Sequence, residues 1–176
     1  MKFTADKIIV FDLETTCWEG KGNHYKYREV IALGACILDV KSLEIIGDCN
    51  LVCKPTKTEI SEYCTSITGI TQELADEGID FEEMCKQVIQ KYDSKNLPCA
   101  AWGNDGEKMY SECRQKECKH PFSNQYLNIS LLYSVMMGKP HNNGLERSLA
   151  ELGMKFIGEK HNPYRSEEHT SELQSH

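Results

Sequence analysis

"IIVFDLETT", Ile8 to Thr16, is the stretch from which the rest of the chain is read. Ile8 through Leu13 form an apolar run, interrupted by Asp12, that predicts a strand buried on both faces. Along a strand, residues i and i+2 share a face with Cα atoms about 7 Å apart. Asp12 and Glu14 therefore converge on one spot at the carboxyl end of the strand, where open α/β sheets place their ligand crevices. Two carboxylates this close repel each other unless something positive intervenes. An all-oxygen donor pair suits a hard cation such as Mg²⁺ or Mn²⁺, and two such ions about 4 Å apart clamp in-line phosphoryl displacements. The plain alternative is two solvated acids beyond a strand end. For a bare D-x-E that alternative wins, so the residues that follow decide the matter.

The bulk properties set the frame. A chain of 176 residues is the size of one domain, and its 40% apolar and 27% charged residues are those of a globular protein. No apolar run approaches the roughly 20 residues of a membrane span, so no membrane partner is expected. The charged N-terminus, Met1 to Lys7, does not begin a secretory signal. Nine cysteines without regular spacing read as free thiols in a reducing, cytoplasmic setting. A net charge of −7 argues against broad coating of nucleic acid. It leaves room for a narrow site in which metal ions supply the positive charge.

Downstream, Glu29–Val40 and Leu43–Pro55 are β-rich runs that predict an antiparallel hairpin. Ser61–Thr68 reads as a short helix closed by Gly69. Asp80 then caps an amphipathic helix with Phe81, Met84, Cys85, Val88 and Ile89 on one face. Leu97–Gly103 is a second buried strand, followed by a helix from about Glu107 to Lys119. Tyr126–Ser130 predicts a strand running into a helix over Leu131–Met137. Leu145, Leu149 and Leu152 line a last helix stopped by Gly153. The order β-β-β-α-α-β-α-β-α-α is that of a single α/β domain.

"FDLETTCWE" resembles the first motif of the DEDDh 3′–5′ exonucleases, in particular the Eri-type exoribonuclease branch and its bacterial relatives. The resemblance continues through "EVIALGACILD", "ISEYCTSITGITQELADEG", "AWGNDGEKM", "FSNQYLNISLLY" and "GLERSLAELGMKFIGEKH", in the family's order. It implies an RNase H-like fold, a mixed five-stranded sheet flanked by helices, with the last helix expected to be missing here. It implies two divalent ions, Mg²⁺ or Mn²⁺, and hydrolysis from the 3′ ends of single-stranded nucleic acid, RNA favoured, to nucleoside 5′-monophosphates.

Residue by residue, Asp12 and Glu14 match the first-motif acids. Asp105 stands three residues after Trp102, one position short of the family's usual spacing. It is the expected second-motif aspartate, with an N-cap role as the plain alternative. His161 matches the third-motif histidine, the expected general base. The aspartate that should follow it falls at position 166, which is serine. Leu13, Thr15 and Thr16 are implied as the lining of the terminal-nucleotide pocket, Leu13 by packing and the threonines by hydrogen bonds. Trp18 is implied as a stacking platform or as a loop residue packed on the sheet edge. The alternative function is a non-catalytic nucleic-acid or protein-binding module on the same fold.

Arg165–His176 reads RSEEHTSELQSH, which is what a common short-read sequencing adapter encodes when translated. The expected organisation is therefore an exonuclease domain over 1–164, truncated at its natural end, and a non-native tail over 165–176. Cys113, Cys118 and His120 lack the C-x-x-C spacing and a fourth ligand that a zinc site requires. The sequence does not decide oligomeric state.

Overall fold

The computed structural model describes residues 6–20, 27–139 and 143–155. His161, Ser166 and the segment 165–176 lie outside them. Five strands, β1 (Lys7–Thr15), β2 (Val30–Asp39), β3 (Ile45–Val52), β4 (Cys99–Ala101) and β5 (Tyr126–Asn128), form one sheet in the order β3-β2-β1-β4-β5. β4 runs parallel to both β1 and β5. The Val40 N–H donates to the Asp6 carbonyl at 2.8 Å and the Thr16 N–H to the Glu29 carbonyl at 2.9 Å, so β1 and β2 run in opposite directions. The link between β2 and β3 is too short for a crossover. It is closed by the Asp39 carboxylate, which accepts from the Lys41 and Ser42 N–H groups. The sheet is therefore mixed, as the resemblance implies.

Among the described residues there are six helices: α1 (Glu62–Thr68), α2 (Gln72–Asp76), α3 (Phe81–Tyr92), α4 (Asp105–Gln115), α5 (Ile129–Met136) and α6 (Leu145–Glu151). α1 ends as its sequence dictates. The Ser61 hydroxyl accepts the Cys64 N–H, and Gly69 takes the left-handed conformation at φ 72° while its N–H returns to the Thr65 carbonyl. α2 has no counterpart in the sequence reading, because five residues are too few to show a helical period. No helix among the described residues is long and apolar enough to cross a membrane.

The residues group into two compact units. Among the described residues, one comprises 6–12, Gly34–Cys49 and 82–155. Its core holds Ile9, Phe11, Met84, Val88, Cys99–Ala101, Met109 and Phe122, all buried. Phe11 and Phe122 stack with ring centroids 4.1 Å apart, a contact worth about 1 kcal/mol beyond the area it buries. The other unit comprises Leu13–Leu33 and Asn50–Phe81. There Ile31, Ala32, Cys64, Ile70 and Ala75 form the core.

β1 is not buried on both faces. Ile9, Phe11 and Leu13 are buried, Val10 is half-buried and Asp12 is exposed. The second face carries Asp12 and Glu14, and closing it with apolar side chains would strip two carboxylates of water. It stays open for that reason.

Candidate active site

The register of the sheet places the acids. Ile9 pairs with Cys99 and Val10 with Ala100 on adjacent parallel strands. Asp12 near the end of β1 and Asp105 just beyond β4 therefore leave the sheet at the same, carboxyl, edge within one unit. Asp105 is the first residue of α4 and is half-buried. Asn104 occupies the N-cap position and makes no side-chain capping bond, so the plain N-cap reading of Asp105 does not hold. An acid in the first helical turn faces unsatisfied N–H groups and the positive end of the helix dipole. Glu14, half-buried, lies two residues beyond Asp12 on the same face of β1. Asp12 and Asp105, within one unit, are oxygen donors only, the donor type that suits hard divalent cations.

Asp105 is held from below by a contact the sequence does not reveal. The Tyr126 hydroxyl donates to the Gly103 carbonyl at 3.0 Å and accepts the Gly106 N–H at 3.4 Å. A Cβ on Gly106 would lie 2.5 to 2.8 Å from the Tyr126 ring, closer than side chains tolerate. Only glycine lets the first turn of α4 rest on that ring. Burial pushes the Tyr126 phenol up, and the Asp105 charge adds to the effect. The one available sequence signal was a glycine directly after the expected acid.

The loop leaving β1 is equally well held. Thr16 is fully buried, and its Oγ1 accepts the Glu29 N–H at 3.0 Å and lies 3.2 Å from the Thr58 hydroxyl. The Glu29 carboxylate, itself buried, accepts from the N–H and hydroxyl of Thr56, the Lys57 N–H and the Thr58 hydroxyl, at 2.7 to 2.9 Å. The Ser61 hydroxyl donates to the Cys17 carbonyl at 2.6 Å while capping α1. Thr16 spends its hydroxyl on this network. Leu13 belongs to the buried row of β1, with 8% of its surface exposed. Thr15 and Trp18 are half-buried and keep surface of their own. His161 falls outside the described residues.

The family described as Exonuclease matches residues 9–164. The chain belongs to the exonuclease family. It is 31% identical over 169 residues to the 3'-5' exoribonuclease 1 of Mus musculus, covering 89% of this chain and 48% of that protein. It is 28% identical over 179 residues to the ERI1 exoribonuclease 2 of Mus musculus, covering 88% of this chain and 26% of the relative. The exonuclease chain thus spans from about a quarter to about half of these relatives' length. Among solved structures, the nuclease domain of 3'hExo, a DEDDh family member bound to rAMP, superposes with a TM-score of 0.80 at 27% identity. The match covers 92% of this chain and 86% of that one. The RNase H-like fold expected from "FDLETT" is the fold of this exonuclease domain.

Proposed function

We propose that this exonuclease-family domain hydrolyses the terminal phosphodiester at the 3′ end of single-stranded RNA and releases nucleoside 5′-monophosphates. The observation that carries the reading is the exit of Asp12 and Asp105 at one sheet edge, from β1 and just beyond β4, with Glu14 on the Asp12 face. Asp12, Glu14 and Asp105 hold two divalent ions, Mg²⁺ or Mn²⁺. When bound, such ions supply an activated water and neutralise charge developing on the leaving oxygen. Asp105 contributes from the first turn of α4, where Gly106 resting on Tyr126 fixes its backbone. The Glu29 and Ser61 bonds hold Thr16 and Cys17 still in the loop that follows Glu14. His161 would accept the proton of the attacking water as general base. RNA is favoured because the relatives are exoribonucleases and the 3'hExo nuclease domain holds rAMP. The nine free cysteines suit a reducing compartment, and we place the protein in the cytoplasm.

A non-catalytic nucleic-acid or protein-binding module is the second reading, and a natural chain without an aspartate five residues after His161 would favour it. One experiment separates the two. The full chain is incubated with Mn²⁺ and an RNA oligonucleotide labelled at its 5′ end, beside Asp12→Ala and Ser166→Asp variants. Shortening from the 3′ end that needs Mn²⁺, rises with Ser166→Asp and vanishes with Asp12→Ala supports the enzyme. Binding of the oligonucleotide without shortening in any variant supports the module.

A further inference from the structure

Among the described residues, three sulfur atoms far apart in sequence come together in the unit that begins with β1. The Sγ atoms of Cys85 on α3, Cys113 on α4 and Cys118 just after α4 lie within 4.8 Å of one another. Cys85 and Cys113 are buried and Cys118 is half-buried. The chain reverses to bring Cys118 back. Glu117 takes the left-handed conformation at φ 51°, rare for a residue with a side chain, and the Cys118 N–H bonds to the Cys113 carbonyl at 3.0 Å. Glycine would make that turn without strain, yet glutamate makes it. A fourth soft atom is close, the Met109 sulfur at 3.9 Å from the Cys113 Sγ.

We propose that Cys85, Cys113 and Cys118 form a binding site for a thiophilic cation of the zinc class, separate from the carboxylate site. Thiolate donors select zinc and its soft neighbours over magnesium or manganese. With metal–sulfur bonds of about 2.3 Å, tetrahedral ligation sets the sulfurs about 3.8 Å apart, so the three thiols need to close by less than an ångström or so. Water takes the fourth position through the half-exposed side at Cys118. Glu82, one turn before Cys85, is engaged by Lys86 at 2.9 Å. The bound ion ties the middle of the domain's longest helix, α3, to the end of α4. The spacing of Cys113, Cys118 and His120 hid this site because the third thiol, Cys85, comes from another helix.

The test uses the full chain, reduced and freed of metal, titrated with Cd²⁺ while thiolate-to-metal charge-transfer absorption is followed. That signal reports sulfur ligation and is blind to carboxylates. The expected result is one equivalent bound with the band present, unchanged by Asp12→Ala and by Cys36→Ser, a cysteine outside the cluster. Cys118→Ser, at a half-exposed position where folding is checked by circular dichroism, weakens binding by more than the roughly tenfold that loss of a mere supporting partner costs. Zn²⁺ bound beforehand, which gives no such band, raises the Cd²⁺ concentration needed to reach the full signal. Absence of the band, an unchanged affinity in Cys118→Ser, or a Cys113–Cys118 disulfide formed in place of metal binding overturns the proposal.

Discussion

Thr16 and Glu29 hold each other twice: the Thr16 N–H donates to the Glu29 carbonyl at 2.9 Å, and the Glu29 N–H donates to the Thr16 hydroxyl at 3.0 Å. The Glu29 carboxylate then organises Thr56–Thr58 through four further bonds. Removing that carboxylate strands buried donors, each costing about 1–3 kcal/mol. Glu29→Ala is therefore expected to lose at least about 3 kcal/mol in urea denaturation, whereas Thr16→Ser, which keeps the hydroxyl, loses about 1 kcal/mol. Equal losses in the two variants would show that the network is incidental.

Gly106 and Tyr126 are expected to be coupled. Gly106→Ala gains helix propensity but drives a methyl into the Tyr126 ring, and overpacking of this kind costs about 1–3 kcal/mol. With Tyr126→Ala already in place, the same substitution meets open space and stabilises by up to about 1 kcal/mol. A double-mutant cycle read by thermal denaturation checks this, since neighbours in contact show non-additive effects. Additive changes would mean that the ring does not set the position of α4.

Much of this architecture was legible in the residues. Ser61, Gly69, and the Met84, Cys85 and Val88 face carry their own local signals, and the D-x-E at the end of an apolar run marked the sheet edge. What stayed hidden was set by contacts between residues far apart in sequence. Glu29 looks like an ordinary charged residue before a strand until the loop at Thr56–Thr58 folds over it. The three thiols do not share a spacing because they come from two helices and a turn. Nothing in the string shows that the Thr16 hydroxyl already accepts the Glu29 N–H.

Glu151 gives the fold an acid-sensitive clasp. Its carboxylate takes an ion pair and hydrogen bond from Lys139, accepts the Tyr133 hydroxyl at 2.7 Å and meets the Arg147 guanidinium at 3.3 Å. These partners, Lys139 foremost, hold it at about 2, below its ordinary 4.5. A carboxyl depressed in the folded state adds stability above its unfolded value and loses it as pH falls through the folded one. The stability gap between wild type and Glu151→Gln is therefore expected to be full above about pH 5 and to shrink as pH falls from 4.5 towards 2. Urea denaturation at a series of pH values measures it. A gap that stays constant, or grows in acid, would remove the clasp from the account.

On the proposed reading, Asp12 and Asp105 act on a phosphate rather than hold the fold. Asp12 is exposed and Asp105 half-buried, and both stand at the carboxyl edge of the sheet, β1 and β4 being parallel neighbours. Replacing either with asparagine keeps the shape and removes a charge. In the Ser166→Asp background, each substitution is expected to cut Mn²⁺-dependent release of mononucleotides by at least about a hundredfold, or roughly 3 kcal/mol of transition-state stabilisation. Unfolding free energy without metal should stay within about 0.5 kcal/mol or rise, because the variants remove a like-charge neighbour. Calorimetric titration with Mn²⁺ separates the causes, since a lost ligand weakens ion binding in step with activity. A variant that binds Mn²⁺ as tightly as its parent yet has lost its activity would assign that aspartate to the substrate instead of the metal.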